Sequence, residues 1–536
     1  MTRPGVDQYD LIVVGAGPGG CATAARVAAA RPDWRVALLE SGPARGNFLV
    51  STPVGLIGLV DGAGPHNYFY NSVPQPGLGG REAVQPRGRG VGGSSLINAM
   101  VYVRGQPQDY DGWAAVGCSG WAWDDVLPLF RRSEDNVRGA NPWHGSGGPL
   151  HVDDQWSDTP VSRVFLRAGQ QAGHRLNPDF NGPVQEGVGL YQLFQKNGRR
   201  YDAGTAYIHA RPRANLDVLS DTQALRLEVS EGRATGVHVH DKAGLRLLQA
   251  RNEIVLAAGA FGTPQLLMLS GIGPADQLQA LGIPVLLNRP GVGANLQDHL
   301  DHISVRTLKG HGVVGPTGAG ALSLARGLLP FLRGGRGVFS SNLAEGGGFL
   351  RSSPDIDRPD LQLHFLIGLI EDPGGKPSGL TGVSLHVCAL RPHSRGTVRL
   401  VSPDPADAPL IDPAYLSDPR DLPDLVRGVR LAEDILDQPA FARAGALRAS
   451  WMTLDDDAAI VDSIRRRAGT IYHPVGTCRM GADLDAVVDP ELRVRGLAGL
   501  RIADASIMPT LVSGNTQAPT AMIGERASDL ILSAGR

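Results

Sequence analysis

The sequence predicts an α/β fold, with a dinucleotide-binding domain joined to a second domain built on a mixed sheet. Three observations predict it. The first forty residues read strand, glycine turn, helix, strand, acid. The run Glu253–Ala258 (EIVLAA) is a second stretch suited to a buried strand. From Leu361 onward, apolar and polar residues alternate as they do on a strand with two different faces.

Tyr9–Val14 (YDLIVV) is short, apolar and rich in β-branched residues, which suits a strand buried on both faces. The turn Gly15-Ala16-Gly17-Pro18-Gly19-Gly20 satisfies GxGxxG, and the alanine-rich stretch Cys21–Ala30 that follows is helical. Arg35–Leu39 is the next strand and ends at Glu40. Gly15 permits the tight turn, Gly17 lets main chain approach a pyrophosphate, and Gly20 lets helix pack on strand. The helix N-terminus offers unpaired N–H groups to phosphate. Glu40 stands about 20 residues past the last glycine, where an acid can take a ribose diol. This is the Rossmann-like arrangement, and by itself it leaves NAD and FAD both open.

The chain has 536 residues, more than one core usually serves, so two connected domains are expected. Hydrophobic residues are 42% and charged residues 19%, with a net charge of −2, so no basic excess points to nucleic acid. Cys21, Cys118, Cys388 and Cys478 form no CxxC pair, which argues against a disulfide scaffold or a zinc ribbon. With no HExxH, no metal site is expected. Met1–Asp10 has no targeting core and no apolar run spans a bilayer, so a cytoplasmic location is expected.

Two further stretches carry chemistry. Residues 88–105 (GRGVGGSSLINAMVYVRG) and 259–273 (GAFGTPQLLMLSGIG) are glycine-rich turns that would let main chain lie against a flat ligand. Together with NLQDH (Asn295–His299), PHSRGTVRLVSPDP (Pro392–Pro405), YHPVGTCRMG (Tyr472–Gly481) and LRIADASIMPTLVSGNTQAPT (Leu500–Thr520), they resemble the glucose–methanol–choline family of FAD-dependent oxidoreductases. The resemblance runs from Asp7 to about Leu532 and is greatest to its choline-dehydrogenase-like and aliphatic-alcohol-dehydrogenase branch.

The resemblance implies FAD. Gly15, Gly17, Gly20 and Glu40 would hold the adenosine diphosphate, and Ala224 would meet the adenine. Gly92, Asn98, Ala99 and Val101 would lie along the flavin, Asp504 and Ala505 along the pyrophosphate and ribityl chain, and Thr516 on the C-terminal side. Where some members attach FAD through a histidine, Ile97 stands, so non-covalent FAD is expected. Because the motifs lie near both ends and in the middle, the FAD-binding domain is expected at 1–158, 205–302 and 471–536. The substrate domain is expected at 159–204 and 303–470. The strand-like runs PDLQLHFLIGLI, VSLHVCAL and GTVRLVS would supply its sheet.

His473 matches the family's active-site histidine, and Asn515 the place of its second histidine or asparagine. A neutral imidazole can take the proton of an alcohol, and an amide can hold the alcohol oxygen, while hydride leaves for the flavin. The expected reaction is oxidation of a primary alcohol to the aldehyde by a dehydrogenase, with a quinone, a redox protein or another non-oxygen acceptor. The alternatives are an oxidase that makes hydrogen peroxide and a flavin-containing hydroxynitrile lyase. Choline itself is disfavoured: at 5% aromatic residues a cage for a quaternary ammonium is hard to build, and no carboxylate can be placed in the pocket from sequence. His299, beside Asp298, reads as a structural hydrogen-bond site. Cys478 lies five residues beyond His473, but nothing else supports a Cys–His hydrolase. The segment Gly318–Gly337 reads as a lid or surface helix interrupted by Pro330, with peripheral membrane contact as the alternative.

Overall fold

The computed structural model describes residues 7–157, 159–315, 318–370 and 380–534. The outermost residues of the expected FAD-binding domain, 1–6 and 535–536, and its boundary residue 158 lie outside these. Two seven-stranded sheets organise the chain.

The first sheet runs Leu216–Leu219, Val36–Leu39, Asp7–Val14, Gly244–Leu256, Arg233–Asp241, Gln223–Ser230. Its first three strands and the second half of Gly244–Leu256 are parallel, with Leu11 opposite Val36 and Ile12 opposite Ile254. The first half of Gly244–Leu256 belongs instead to an antiparallel meander. That division frees the edge of Ile254–Leu256 for Leu500–Ile502, which brings the C-terminal part of the chain back to the start. The helices Pro18–Ala30 and Gln517–Ala534 cover one face. They pack closely enough that a Cβ on Gly524 would lie 2.3 Å from Gly19 O.

The second sheet runs Leu447–Arg448, Leu300–Thr307, Gly382–Ala389, Leu361–Leu366, Gly346–Leu350, Gly187–Leu190, with Gly469–Thr470 also on Leu300–Thr307. Each of these pairings is antiparallel, so the expected mixed sheet is corrected to an antiparallel one. The alternation read from sequence sorts its two faces. Leu361, Leu363, Phe365, Leu385 and Val387 join an apolar core against the helix Asp421–Leu436. Gln362, His364, His386 and Cys388 stand on the opposite face.

Three details differ from expectation. The run GTVRLVS does not join this sheet: Thr397–Arg399 pairs with Leu410–Asp412 in a separate ribbon, because its register partner is local. The strand Leu300–Thr307 crosses the expected domain boundary at 302. The helix Gly318–Gly334 continues through Pro330. The carbonyl that proline leaves without a donor is that of Arg326, an exposed residue, so water can satisfy it.

Candidate active site at the junction of the two sheets

NLQDH acts as a clamp on the two C-terminal loops. Gln297 exchanges main-chain hydrogen bonds with Val475, at 3.1 and 2.9 Å. Its side chain donates to Pro509 O (3.1 Å) and accepts from Leu511 N (3.1 Å). Asp298 is buried; its Oδ1 accepts from His473 N at 2.8 Å, and its Oδ2 from Tyr415 and Thr470, each at 2.5 Å. These bonds hold Tyr472 in the left-handed region (φ 71°), a conformation that costs a non-glycine residue energy and turns His473 inward.

His299 does more than the structural duty expected of it. Its Nε2 lies 3.1 Å from Leu390 O, and a carbonyl only accepts, so the ring proton is on Nε2. Its Nδ1 is therefore a lone pair, and it lies 3.0 Å from Nδ1 of His473. The proton in that bond must belong to His473. His473 then carries its free lone pair on Nε2, which lies 3.2 Å from Asn515 Nδ2.

The Asn515 amide is oriented by the same logic. Tyr191 donates to Leu363 O at 2.6 Å, so its oxygen accepts from Gln362 Nε2 at 3.3 Å. Gln362 Nε2 also donates to Asn515 Oδ1 at 2.9 Å, which turns the Asn515 NH₂ toward the imidazole. Two polar residues of the second sheet, Gln362 and His364, thus reach the pair His473–Asn515, which the first domain supplies. Burial, reinforced by His299, His364 and Arg87, holds the His473 pKa well below the ordinary histidine value. Burial also pulls His299 down to about 4 and His364 to about 3. All three rings are neutral at physiological pH.

Hydrogen bonds tie the residues expected at a cofactor to one another and to their neighbours. Glu40 Oε1 accepts from Gly42 N and Gly90 N, at 2.9 and 3.0 Å, and Oε2 from Ala16 N at 3.1 Å. Oε2 keeps a lone pair for another donor. Burial raises the Glu40 pKa against the pull of those N–H groups. Thr222 N bonds Glu40 O, which sets the strand bearing Ala224 beside it. Gly92 donates to Ala16 O at 2.7 Å, stacking the second glycine turn on the first. Asn98 donates to Gln517 Oε1 at 2.5 Å, Ala99 O accepts from Asn342, and Val101 pairs with Leu193. The Oδ2 of Asp504 accepts from Gly259 N and Thr263, and its Oδ1 from Ser506 N, which leaves Oδ1 one lone pair for another donor. Thr516 precedes the last helix, accepting from Thr520.

FAD fits these residues. At Gly15 and Gly20 an added Cβ would meet backbone at 2.4 and 1.9 Å, but at Gly17 the nearest atom is 3.9 Å away. Gly17 therefore opens on space, at a helix N-terminus that no side chain caps. Gln517 Nε2 is buried and has no partner among the described residues, leaving a donor for a flavin carbonyl. Sequence reasoning missed Gln517 and Gln362. The even spacing of Gln362 and His364 was the available signal for the latter pair.

A buried, proton-directed imidazole thus faces an amide in a chain that also carries a Rossmann-like glycine turn. The GMC oxidoreductase pattern matches residues 9–301 and again 392–524. The chain belongs to the GMC oxidoreductase family, whose members carry FAD and act on CH–OH donors. It is 43% identical over 535 residues to an alcohol dehydrogenase [acceptor] of Pseudomonas putida, covering 98% of this chain and 96% of that one. It is 40% identical to the mitochondrial choline dehydrogenase of Homo sapiens, over 98% of this chain and 90% of the other. Among solved structures, pyridoxine 4-oxidase of Mesorbium loti superposes with a TM-score of 0.86 at 32% identity, over 97% and 98% of the two chains. A formate oxidase of Aspergillus oryzae superposes at 0.89 with 26% identity, over 100% of this chain and 99% of that one.

Proposed function

We propose that the chain oxidises a primary alcohol to the aldehyde, with His473 as general base and Asn515 holding the alcohol oxygen. The supporting observation is the tautomer that His299 imposes, which leaves the His473 Nε2 lone pair beside the Asn515 NH₂. A hydroxyl placed between them donates to Nε2 and accepts from Nδ2. As His473 takes the proton, its Nδ1–H becomes a charge-assisted donor to His299, and the bond strengthens during the reaction. FAD, when bound, supplies the acceptor for the hydride from the carbinol carbon. Its holders are Gly17 and Glu40 at the adenosine end and Asn98, Ala99, Val101, Thr516 and Gln517 at the flavin end.

The FAD is held without a covalent bond. Ile97 packs with Val50, Leu59 and Leu96 and offers no nucleophile. Acid precipitation releases all the yellow colour into the supernatant; colour retained by the pellet contradicts this. The substrate is an aliphatic or aromatic alcohol rather than a quaternary ammonium. One carboxylate on the site-facing sheet, that of Asp301, is buried; its Oδ2 bonds His386 at 2.6 Å and its Oδ1 has no partner among the described residues. The acceptor is a quinone or another non-oxygen partner, as the name of the Pseudomonas putida relative suggests. Anaerobic mixing with a panel of alcohols tests the reading. Bleaching of the flavin, with slow recolouring in air, is expected. Fast recolouring makes the protein an oxidase, and no bleaching alongside cyanohydrin cleavage makes it a lyase.

A further inference from the structure

Arg200, on the short strand Arg199–Arg200, is a buried cation without a paired carboxylate among the described residues; it is 4% exposed. Every oxygen it reaches is uncharged. Its Nε donates to Val50 O at 2.8 Å, and its Nη1 to Ser95 O at 3.1 Å, Asn98 O at 2.6 Å and Asn98 Oδ1 at 3.1 Å. Its Nη2 has no partner among the described residues. Asp202, two residues on, spends its carboxylate on Thr205, whose N donates to Oδ1 at 2.9 Å and whose hydroxyl donates to Oδ2 at 2.7 Å. Burial pulls the Arg200 pKa down to about 10 and Asp202 opposes the fall, so the guanidinium stays charged at neutral pH.

The other deeply buried arginines are treated differently. Arg104 holds Glu134 at 2.6 Å, Arg306 holds Glu433 at 2.8 Å, and Arg501 holds Glu253 at 2.8 Å. A buried charge is ordinarily paired, because leaving it alone in a low dielectric is costly. Arg200 therefore waits for an anion that the polypeptide does not supply.

Its position says which. The Asn98 Oδ1 that Arg200 grips also accepts from Met100 N at 3.0 Å, so the Asn98 amide is fixed with its NH₂ on Gln517 Oε1 at 2.5 Å. Two buried donors without partners, Arg200 Nη2 and Gln517 Nε2, thus stand on either side of Asn98 in one chain of hydrogen bonds. Asn98 and Gln517 are holders of the flavin end in the function proposed above. The proposed reaction creates negative charge there. As the C–H and O–H bonds of the alcohol break and the C=O forms, the hydroxyl proton goes to His473. The carbinol hydrogen leaves with its electron pair for the flavin. The flavin gains one negative charge that no proton from the alcohol cancels.

We propose that Arg200 is the fixed positive charge that stabilises the reduced flavin and raises the reduction potential of the bound cofactor. The inference rests on the FAD placement given under the proposed function. Oxidised flavin is neutral and reduced flavin is anionic, so the charge favours one state over the other. Because Arg200 is already in place and buried, its field needs no reorganisation and is screened less than in water. Arg200 acts through space and through Asn98, which makes it a tuning residue rather than a catalytic one.

The test is the two-electron potential of the holoenzyme, read from flavin absorbance against a reference dye during chemical reduction without alcohol. Arg200→Gln keeps an amide donor for the carbonyls and removes the charge, whereas Arg200→Lys keeps the charge and loses the planar fork. The Gln variant is expected to shift the oxidised–reduced equilibrium about tenfold or more, a fall of about 30 mV or more, and the Lys variant less than about threefold. The pH dependence reads the charge directly. Wild type takes one proton per two electrons and falls about 30 mV per pH unit near neutrality, whereas a reduced flavin that must take a second proton falls about 60 mV, as the Gln variant should. A Gln variant with the wild-type potential and slope overturns the proposal, as does a Lys variant that shifts as far as Gln. If the Gln variant retains no FAD, the wild-type slope decides, and about 60 mV per pH unit overturns it. No alcohol enters this measurement, so it separates the two readings. The expected shifts in a protein that no alcohol bleaches sustain the tuning role and sink the alcohol chemistry; bleaching with an unshifted potential does the reverse.

Discussion

Replacing His299 by alanine removes the acceptor of the His473 Nδ1–H without touching either group proposed to meet substrate. Two losses follow. The buried N–H is left unpaired, which frees the ring to place its proton on Nε2, the nitrogen that must be empty. The transition state also loses a charge-assisted bond, since the 3.0 Å contact strengthens as His473 becomes cationic. A hydrogen bond to a charged group contributes about 1.5–3 kcal/mol. At about 1.4 kcal/mol per decade this is a fall of about 10- to 100-fold in the rate of flavin reduction. Tautomer scrambling adds to it, so the upper figure is expected. The assay is anaerobic stopped-flow reduction at saturating alcohol, with flavin content matched. The second variant, His299→Gln, separates positioning from bulk. Its amide can donate to Leu390 O and accept from His473 at once, and it should recover to within about tenfold of wild type. An alanine variant reduced within threefold of the wild-type rate refutes the tautomer argument. Equal losses in both variants reduce His299 to a packing residue.

His473→Ala should keep FAD and lose flavin reduction by about 100-fold or more, the range for removing a general base; normal single-turnover kinetics would move the base elsewhere. Gly17→Ala and Gly20→Ala should part ways. Gly17 has φ −72° and open space, so its alanine variant folds and binds FAD poorly. A Cβ at Gly20 lies 1.9 Å from Gly15 O, so that variant accumulates little folded protein; flavin content per folded molecule and soluble yield tell the two apart. Burial lowers His302 to about 3, from an unfolded value near 6.5. The folded state therefore binds fewer protons, and the contribution is complete above pH 6.5 and lost as pH falls toward 3. Between pH 7.5 and 5 it accounts for about 2 kcal/mol, which His302→Leu should abolish. Urea midpoints of the two proteins at both pH values measure the difference, and identical pH slopes would sink the argument.

The elements that announced themselves in sequence did so through local periodicity. Tyr9–Val14, the glycine turn and the helix after it were readable because each needs only its own neighbours. The alternation from Leu361 gave a strand with two unlike faces, and the structure turns Gln362 and His364 toward the site. GTVRLVS looked equally strand-like yet joined a ribbon outside the large sheet, since propensity says nothing about which edge is free. Pro330 read as a break, but the carbonyl it orphans belongs to an exposed residue, so the helix continued.

By itself the sequence determined the glycine turn and the family, and it pointed to His473 and Asn515 as the residues to test, because these sit in short motifs. Only the tertiary structure decided which nitrogen of His473 is free. That depends on a contact between residues 174 positions apart, where the strand from NLQDH meets the loop after Gly469–Thr470. Hydrogen-bond direction is a property of groups that meet in space, and no spacing along a chain encodes where distant loops will touch.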